Sequence, residues 1–328
     1  MADSSRVQVV RPPSPPIQAV REELSERLPP PDLELLKLLG FENYLACLTV
    51  VRKERAAGRI LLDRAKLGAA PAALRSIGLS FHVAPYECVP LAATTPAAYH
   101  EASFVPVGGD RRGRAVVYVG IDDDFALGAF HAEAARQNEV VGELFGYPDC
   151  CISSYETAAG AGQDRTANAI RSPGPYPHHL NPVAPLLHGL RLIFHFPCSA
   201  ECSASLELAR RRRDTIESFA PSLGRVWEVA VGIALYGPRV GCAMVTDAVE
   251  VGPRSFVVRE LVTKDPDRMT FVDKEHPCVL TLLSARRWTC GGQEFSDRAG
   301  FAAIFTGGED PASERMRQRR RSEGAEES

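Results

Sequence analysis

Arg114-Ala115-Val116-Val117-Tyr118-Val119-Gly120-Ile121 is the most strand-like run in the chain. Its β-branched residues pack well on a pleated surface and are stiff in the extended conformation. Asp122, Asp123 and Asp124 follow at once. Carboxylates there can accept hydrogen bonds from the free amides that open a helix. A Mg²⁺-binding cluster is the other reading of the three acids, but capping accounts for them without a ligand. The pattern predicts a strand feeding a helix that extends to about Leu144 and stops at Gly146. This strand–helix unit sets the fold class as α/β (α+β).

Upstream, Asp32 is a candidate cap for a helix carrying Leu33, Leu35, Leu36 and Leu39 and ending near Gly40. Pro71 to Ile77 reads as a short helix, and Phe81 to Leu91 alternates like a strand. Residues 1–31 carry Pro12, Pro13, Pro15, Pro16 and Pro29 to Pro31. They are expected to form a disordered tail outside the core, with at most a short helix over Val20–Arg27.

Downstream, the helix delivers the chain to Phe145-Gly146-Tyr147-Pro148-Asp149-Cys150-Cys151. A second cluster follows at His195-Phe196-Pro197-Cys198-Ser199-Ala200-Glu201-Cys202. The spacing is C-C-x46-C-x3-C, with His195 three residues before the third cysteine. Pro148 and Pro197 hold the entering backbone extended. Asp149 and Ser199 are natural caps, which would place all four thiols near the positive ends of helices and favour thiolate. The expected result is one site built from two distant segments, with Cys150, Cys151, Cys198 and Cys202 as ligands and His195 as a fifth candidate. An iron–sulfur cluster could use both adjacent cysteines, because it presents separate iron corners. Zn²⁺ bound by three thiolates and one imidazole is the alternative. A redox-active thiol pair or plain buried cysteines would need no metal.

Between the clusters, 158–185 is rich in Gly, Pro, Ser and Asn. An irregular stretch of that length is usually either a functional loop or disordered, and its place between the clusters favours a loop. It is expected to cover the cysteines and to turn His178, His179 and Asn181 inward as catalytic groups. Pro185 to Phe196 is apolar and reads as helical, and Cys198 to about Phe219 as a longer helix. Arg210 to Arg213 on it reads as a solvated face before an anion site. The remaining cysteines, Cys47, Cys88, Cys242, Cys278 and Cys290, stand mostly beside apolar residues and read as core thiols.

The remainder is consistent with a mixed fold. Val226–Tyr236, Val240–Val245, Ser255–Val262 and Val279–Ser284 are apolar stretches, the last two favouring strands. The expected organisation is a tail (1–31), an α/β region (32–121), a central, mainly helical cysteine-motif domain (122–224), a small α/β or β region (225–306) and a solvated tail (307–328). The paired cysteine motifs resemble an uncharacterised prokaryotic family, one of the domains of unknown function. The resemblance covers about residues 115–220 and implies that both clusters form one site, without implying a reaction.

The chain has 328 residues, 45% of them hydrophobic and 24% charged, with a formal net charge of −3. That charge argues against general nucleic-acid binding. No apolar run approaches the roughly 20 residues of a membrane span. The start lacks the features of a secretory signal, so a cytoplasmic protein with reduced cysteines is expected. P-loop, G-x-G-x-x-G and G-x-S-x-G motifs are absent. The leading expectation is a cytosolic metalloenzyme, iron–sulfur before zinc, performing redox or lyase/transferase chemistry on a small molecule. A redox protein is its candidate partner. The alternative is a non-enzymatic module whose structural zinc supports protein–protein contacts.

Overall fold

The computed structural model describes residues 7–10, 26–90, 102–108, 113–160, 164–188, 191–219, 230–264, 266–272, 278–296 and 299–307. It is a mixed α/β structure with two sheets. The first sheet is antiparallel and has strands β2 (Ala57–Leu62), β3 (Ser80–Pro90), β4 (Ala102–Pro106) and β5 (Arg114–Gly120), in the order β2-β5-β3-β4. Strand β5 has a hydrophobic core packed on each of its two faces, which explains why its sequence is continuously apolar. Val117 and Val119 point to one core, and Val116 and Tyr118 to the other.

Helices α1 (Pro30–Leu39), α2 (Phe41–Val51) and α3 (Ala70–Ser76) close the first of these cores through Leu35, Leu39, Leu45 and Leu74. Asp32 lies inside the first turn of α1 instead of capping it, and accepts a hydrogen bond from the Tyr44 hydroxyl at 3.1 Å. The opposite face is covered by α4 (Asp123–Ala134) and α5 (Asn138–Leu144). Asp122 does cap α4, its carboxylate accepting from the Phe125 amide at 2.9 Å. Gly120 allows the tight strand-to-helix passage, since a Cβ there would meet the Ala126 nitrogen at 2.6 Å.

The single helix expected from Asp122 to Leu144 is broken. Arg136 adopts φ 58°, and its amide and that of Gln137 turn back to the Glu133 and Ala132 carbonyls. This is a helix-ending geometry usually filled by glycine, so the sequence carries no sign of it.

The second sheet has nine strands among the described residues. β7 (Gly232–Gly237), β8 (Gly241–Gly252), β9 (Ser255–Thr263), β10 (Cys278–Ser284), β11 (Arg287–Cys290) and β12 (Gln293–Ser296) form an antiparallel run. β13 (Phe301–Thr306) adds to β7, and the short β6 (Tyr176–Pro177) adds parallel to β13. Strand β1 (Gln8–Val10) pairs in parallel with β9. The segment 1–31 is therefore not wholly outside the fold, since Val7 and Leu28 are buried in two different cores. The expected helix at Val20–Arg27 lies mostly outside the described residues, as does the 307–328 tail apart from Gly307. Cys278 and Cys290, expected as separate core thiols, are disulfide-bonded across β10 and β11.

Residues between the two sheets, among them helix α7 (Arg165–Asn168), tie them together. Ala167, Ile170, Val183, Leu187 and Ala200 pack on one face of the second sheet, against Ala234, Tyr236 and Phe301. Helix α9 (Ser203–Phe219) instead sends Leu206, Ala209 and Ile216 into the α1–α3 core. Fully burying a Leu or Ile side chain stabilises by about 1.5–3 kcal/mol, so these contacts hold α9 against that core. Helix α8 spans only Ala184–His188, and Arg191–Cys202 has neither helix nor strand, contrary to the expected helix from Pro185 to Phe196. Among the described residues no helix is long and apolar enough to cross a membrane.

Candidate metal centre

The first cysteine pair is placed by a helix end followed directly by a helix start. Helix α5 ends in a left-handed turn in which Gly146 has φ 64°, with its amide on the Glu143 carbonyl and the Tyr147 amide on Gly142. That conformation and the close approach to the Glu54 carbonyl, 3.0 Å from any added Cβ, both call for glycine. Pro148 then opens α6 (Asp149–Gly160), its carbonyl accepting from the Cys151 and Ile152 amides. Asp149 thus lies one residue inside the helix instead of capping it.

The second pair is held by a turn. Ser199 accepts the Cys202 amide through its carbonyl at 3.1 Å, and α9 starts at Ser203, later than the expected start near Cys198. Cys202 occupies the capping position, with its carbonyl accepting from Leu206 at 2.9 Å and its sulfur accepting from the Ser205 amide at 3.5 Å. A sulfur performs the task that a Ser or Asp oxygen performs at most helix starts.

These turns bring the four expected cysteines together. The Sγ atoms of Cys150, Cys151, Cys198 and Cys202 all lie within 4.8 Å of one another and could hold a metal ion. Cys150 is 3.9 Å from Cys151 and 3.7 Å from Cys202, and Cys151 is 3.6 Å from Cys202. The Cys198 amide also points at the Cys151 sulfur, at 3.4 Å. Two backbone amides therefore donate to sulfurs of the cluster.

Burial by itself would raise the Cys202 thiol. Hydrogen bonds from the Ser205 hydroxyl and amide, together with those from Cys198 and Cys151, outweigh burial and bring it down to about 7. Cys198 is pushed up to about 11, first by burial and then by the neighbouring Cys202 and Cys150 sulfurs. Cys151 is raised further still, chiefly by burial. Cys198 and Cys151 therefore hold their protons near neutral pH, and a bound cation would displace them to form thiolates.

His195 is not among the four converging ligand atoms. Its Nε2 is 2.8 Å from the Ser205 hydroxyl, which in turn lies 3.2 Å from the Cys151 sulfur. Burial, with Arg212 adding to it, lowers His195 to about 3, so the ring is neutral near pH 7. The Tyr147 ring packs against it at 5.1 Å, and the Tyr147 hydroxyl donates to the Phe194 carbonyl at 3.0 Å. Ser205, fully buried, is the residue that sequence reasoning missed. Its signal was present, because the third residue after a helix cap supplies the amide that the cap accepts.

His178, His179 and Asn181 are not gathered at the cysteines. The Asn181 side chain accepts from the Val183 and Ala184 amides and donates to the Ala230 carbonyl at 2.7 Å. It caps α8 and ties that turn to the second sheet. The His178 Nδ1 lies 3.0 Å from the Thr306 carbonyl, and the His179 Nε2 lies 3.1 Å from Arg213. All three line a cavity of about 80 Å³ with no cysteine in its wall. The cysteines adjoin a different cavity, of about 140 Å³, lined by Cys151, His195, Arg59 and Glu133 among others. The described part of the segment expected as a cover packs on the second sheet through Ala167, Ile170, Tyr176 and Val183, and its Ala169 carbonyl accepts from the Ala200 amide in the second cysteine turn at 2.8 Å.

Comparison with known proteins finds no matching family model, no matching curated protein and no matching solved structure.

Proposed function

We propose that this chain is a metalloprotein whose four cysteines close around one tetrahedral ion of the zinc class. The spacing of the sulfurs carries the reading. With Zn–S bonds of about 2.3 Å, the edge of a tetrahedron is about 3.8 Å. Three separations here are 3.6, 3.7 and 3.9 Å. An iron–sulfur cluster sets a different iron beneath each thiolate and needs the sulfurs spread more widely than a single ion does.

A catalytic zinc keeps a coordination position open for water or substrate, whereas four protein thiolates fill the sphere. The centre is therefore structural: it fastens the start of α6 to the turn before α9, the two segments that face the first sheet and the linking region. The two amide hydrogen bonds to sulfur support this reading, since they offset thiolate charge without occupying a metal position. The resemblance of the paired motifs to an uncharacterised prokaryotic family fits a shared centre of this kind.

X-ray absorption on the purified chain, with elemental analysis, tests the proposal. The expected result is one zinc per chain with four sulfur neighbours at about 2.3 Å. An iron–iron scattering path, or fewer than four sulfur neighbours, overturns it.

A further inference from the structure

The cavity beside Cys151 has a composition that the metal centre does not require. Its walls include Phe145, Tyr147, Tyr155, Phe194 and Phe196, with the His195 ring as a sixth planar group. Several of these rings brace one another: Tyr155 stacks on Phe196 at 6.4 Å, and Phe145 meets Tyr147 edge-on at 5.7 Å. Braced aromatic walls favour a flat guest, which gains contact over its whole face.

Polar groups line the same cavity. The Arg59 guanidinium is ion-paired with the Glu133 carboxylate, which also accepts from the Tyr118 hydroxyl. Glu133 is thereby held in place, and each carboxylate oxygen keeps a further lone pair for an incoming donor. Asn138, also in the wall, offers one amide donor group and one acceptor. Among the described residues of its wall Arg59 is the one cation, and Glu133 offsets its charge, which disfavours a phosphate or carboxylate guest. Its volume of about 140 Å³ is close to that of an engineered cavity of about 150 Å³ that admits benzene.

We propose that this cavity binds an uncharged single-ring nitrogen heterocycle with a donor–acceptor edge, of the pyrimidine-base class. The ring lies between the aromatic walls, and its edge meets Glu133 and Asn138. Cys151 belongs to both the cavity wall and the metal centre, so binding at one is positioned to affect the other. The assignment needs the α6 turn held in place but does not depend on which metal holds it.

The test uses the purified full-length chain, with cytosine as the probe and saturation-transfer NMR and calorimetry as readouts. Cytosine is expected to bind, while cytidine monophosphate and cyclohexanol bind more weakly or not at all. Val141→Trp, which fills the cavity, should abolish binding, and Asn138→Ala should weaken it by at least about tenfold. If Val141→Trp does not fold, Asn138→Ala decides alone. No binding of cytosine, unchanged binding in a folded cavity variant, or preference for the phosphate-bearing probe overturns the proposal. Zinc measured on the same samples separates the two claims. Metal without cytosine binding defeats the cavity assignment alone, and cytosine binding without metal defeats the metal centre alone.

Discussion

Removing one cysteine from the cluster should cost metal and stability together, and Cys198→Ser is the sharpest case. Cys198 is only partly buried, so the substitution itself disturbs little packing. Its sulfur is nevertheless one of the four that converge within 4.8 Å. A ligand that binds only the folded state stabilises it by RT ln(1 + [L]/Kd), about 4 kcal/mol when free metal is 1,000 times Kd. At about 2–4 °C per kcal/mol for a chain of this general size, chelation should lower the melting temperature of the wild type by about 8–16 °C. Cys198→Ser should start near the chelated value and respond little to chelator. Cys242→Ser is the control: its sulfur is buried in the core of the second sheet, away from the cluster. It should lose about 1–3 kcal/mol for a buried hydroxyl, keep its metal and retain the full response to chelator. Differential scanning calorimetry with and without chelator, on all three proteins, gives the comparison. An equal chelator response in wild type and Cys198→Ser would refute the reasoning.

Other substitutions separate the parts of the site. Ser205→Ala should keep the metal but lower stability by about 1–2 kcal/mol in denaturant titration, because the His195 Nε2 loses its partner in a buried setting. Gly146→Ala should cost at least about 1–2 kcal/mol, since an L residue is strained at φ 64° and its Cβ would press on the Glu54 carbonyl at 3.0 Å. Asn181→Ala should destabilise by about 2 kcal/mol with the zinc content unchanged, since it uncaps α8 and leaves the Ala230 carbonyl unpaired. A loss of zinc in Asn181→Ala, measured by elemental analysis, would show that this residue supports the cysteines after all.

What the sequence determined by itself was local. Arg114–Gly120 announced a strand because a strand buried on both faces must be apolar at every position, and β5 is such a strand. Gly146 announced a helix end because a left-handed residue at that point is most easily glycine. The two cysteine clusters were visible because each is short, preceded by an aromatic and a proline, and spaced like turn residues.

Tertiary structure decided the rest. The break at Arg136 has no glycine to mark it, and the chain accepts φ 58° there because α4 and α5 must both pack on the first sheet. Strand β1 pairs with residues about 250 positions away, a match of edges that no local pattern encodes. His178, His179 and Asn181 looked catalytic in a polar segment, but that segment's apolar residues fit the second sheet, and the three line a cavity with no cysteine in its wall. Ser205 became the link between His195 and Cys151 only once α9 started at Ser203 and faced the α6 turn. Backbone preferences act over a few residues and can be read along the chain, whereas which surfaces meet depends on complementary burial across the whole of it.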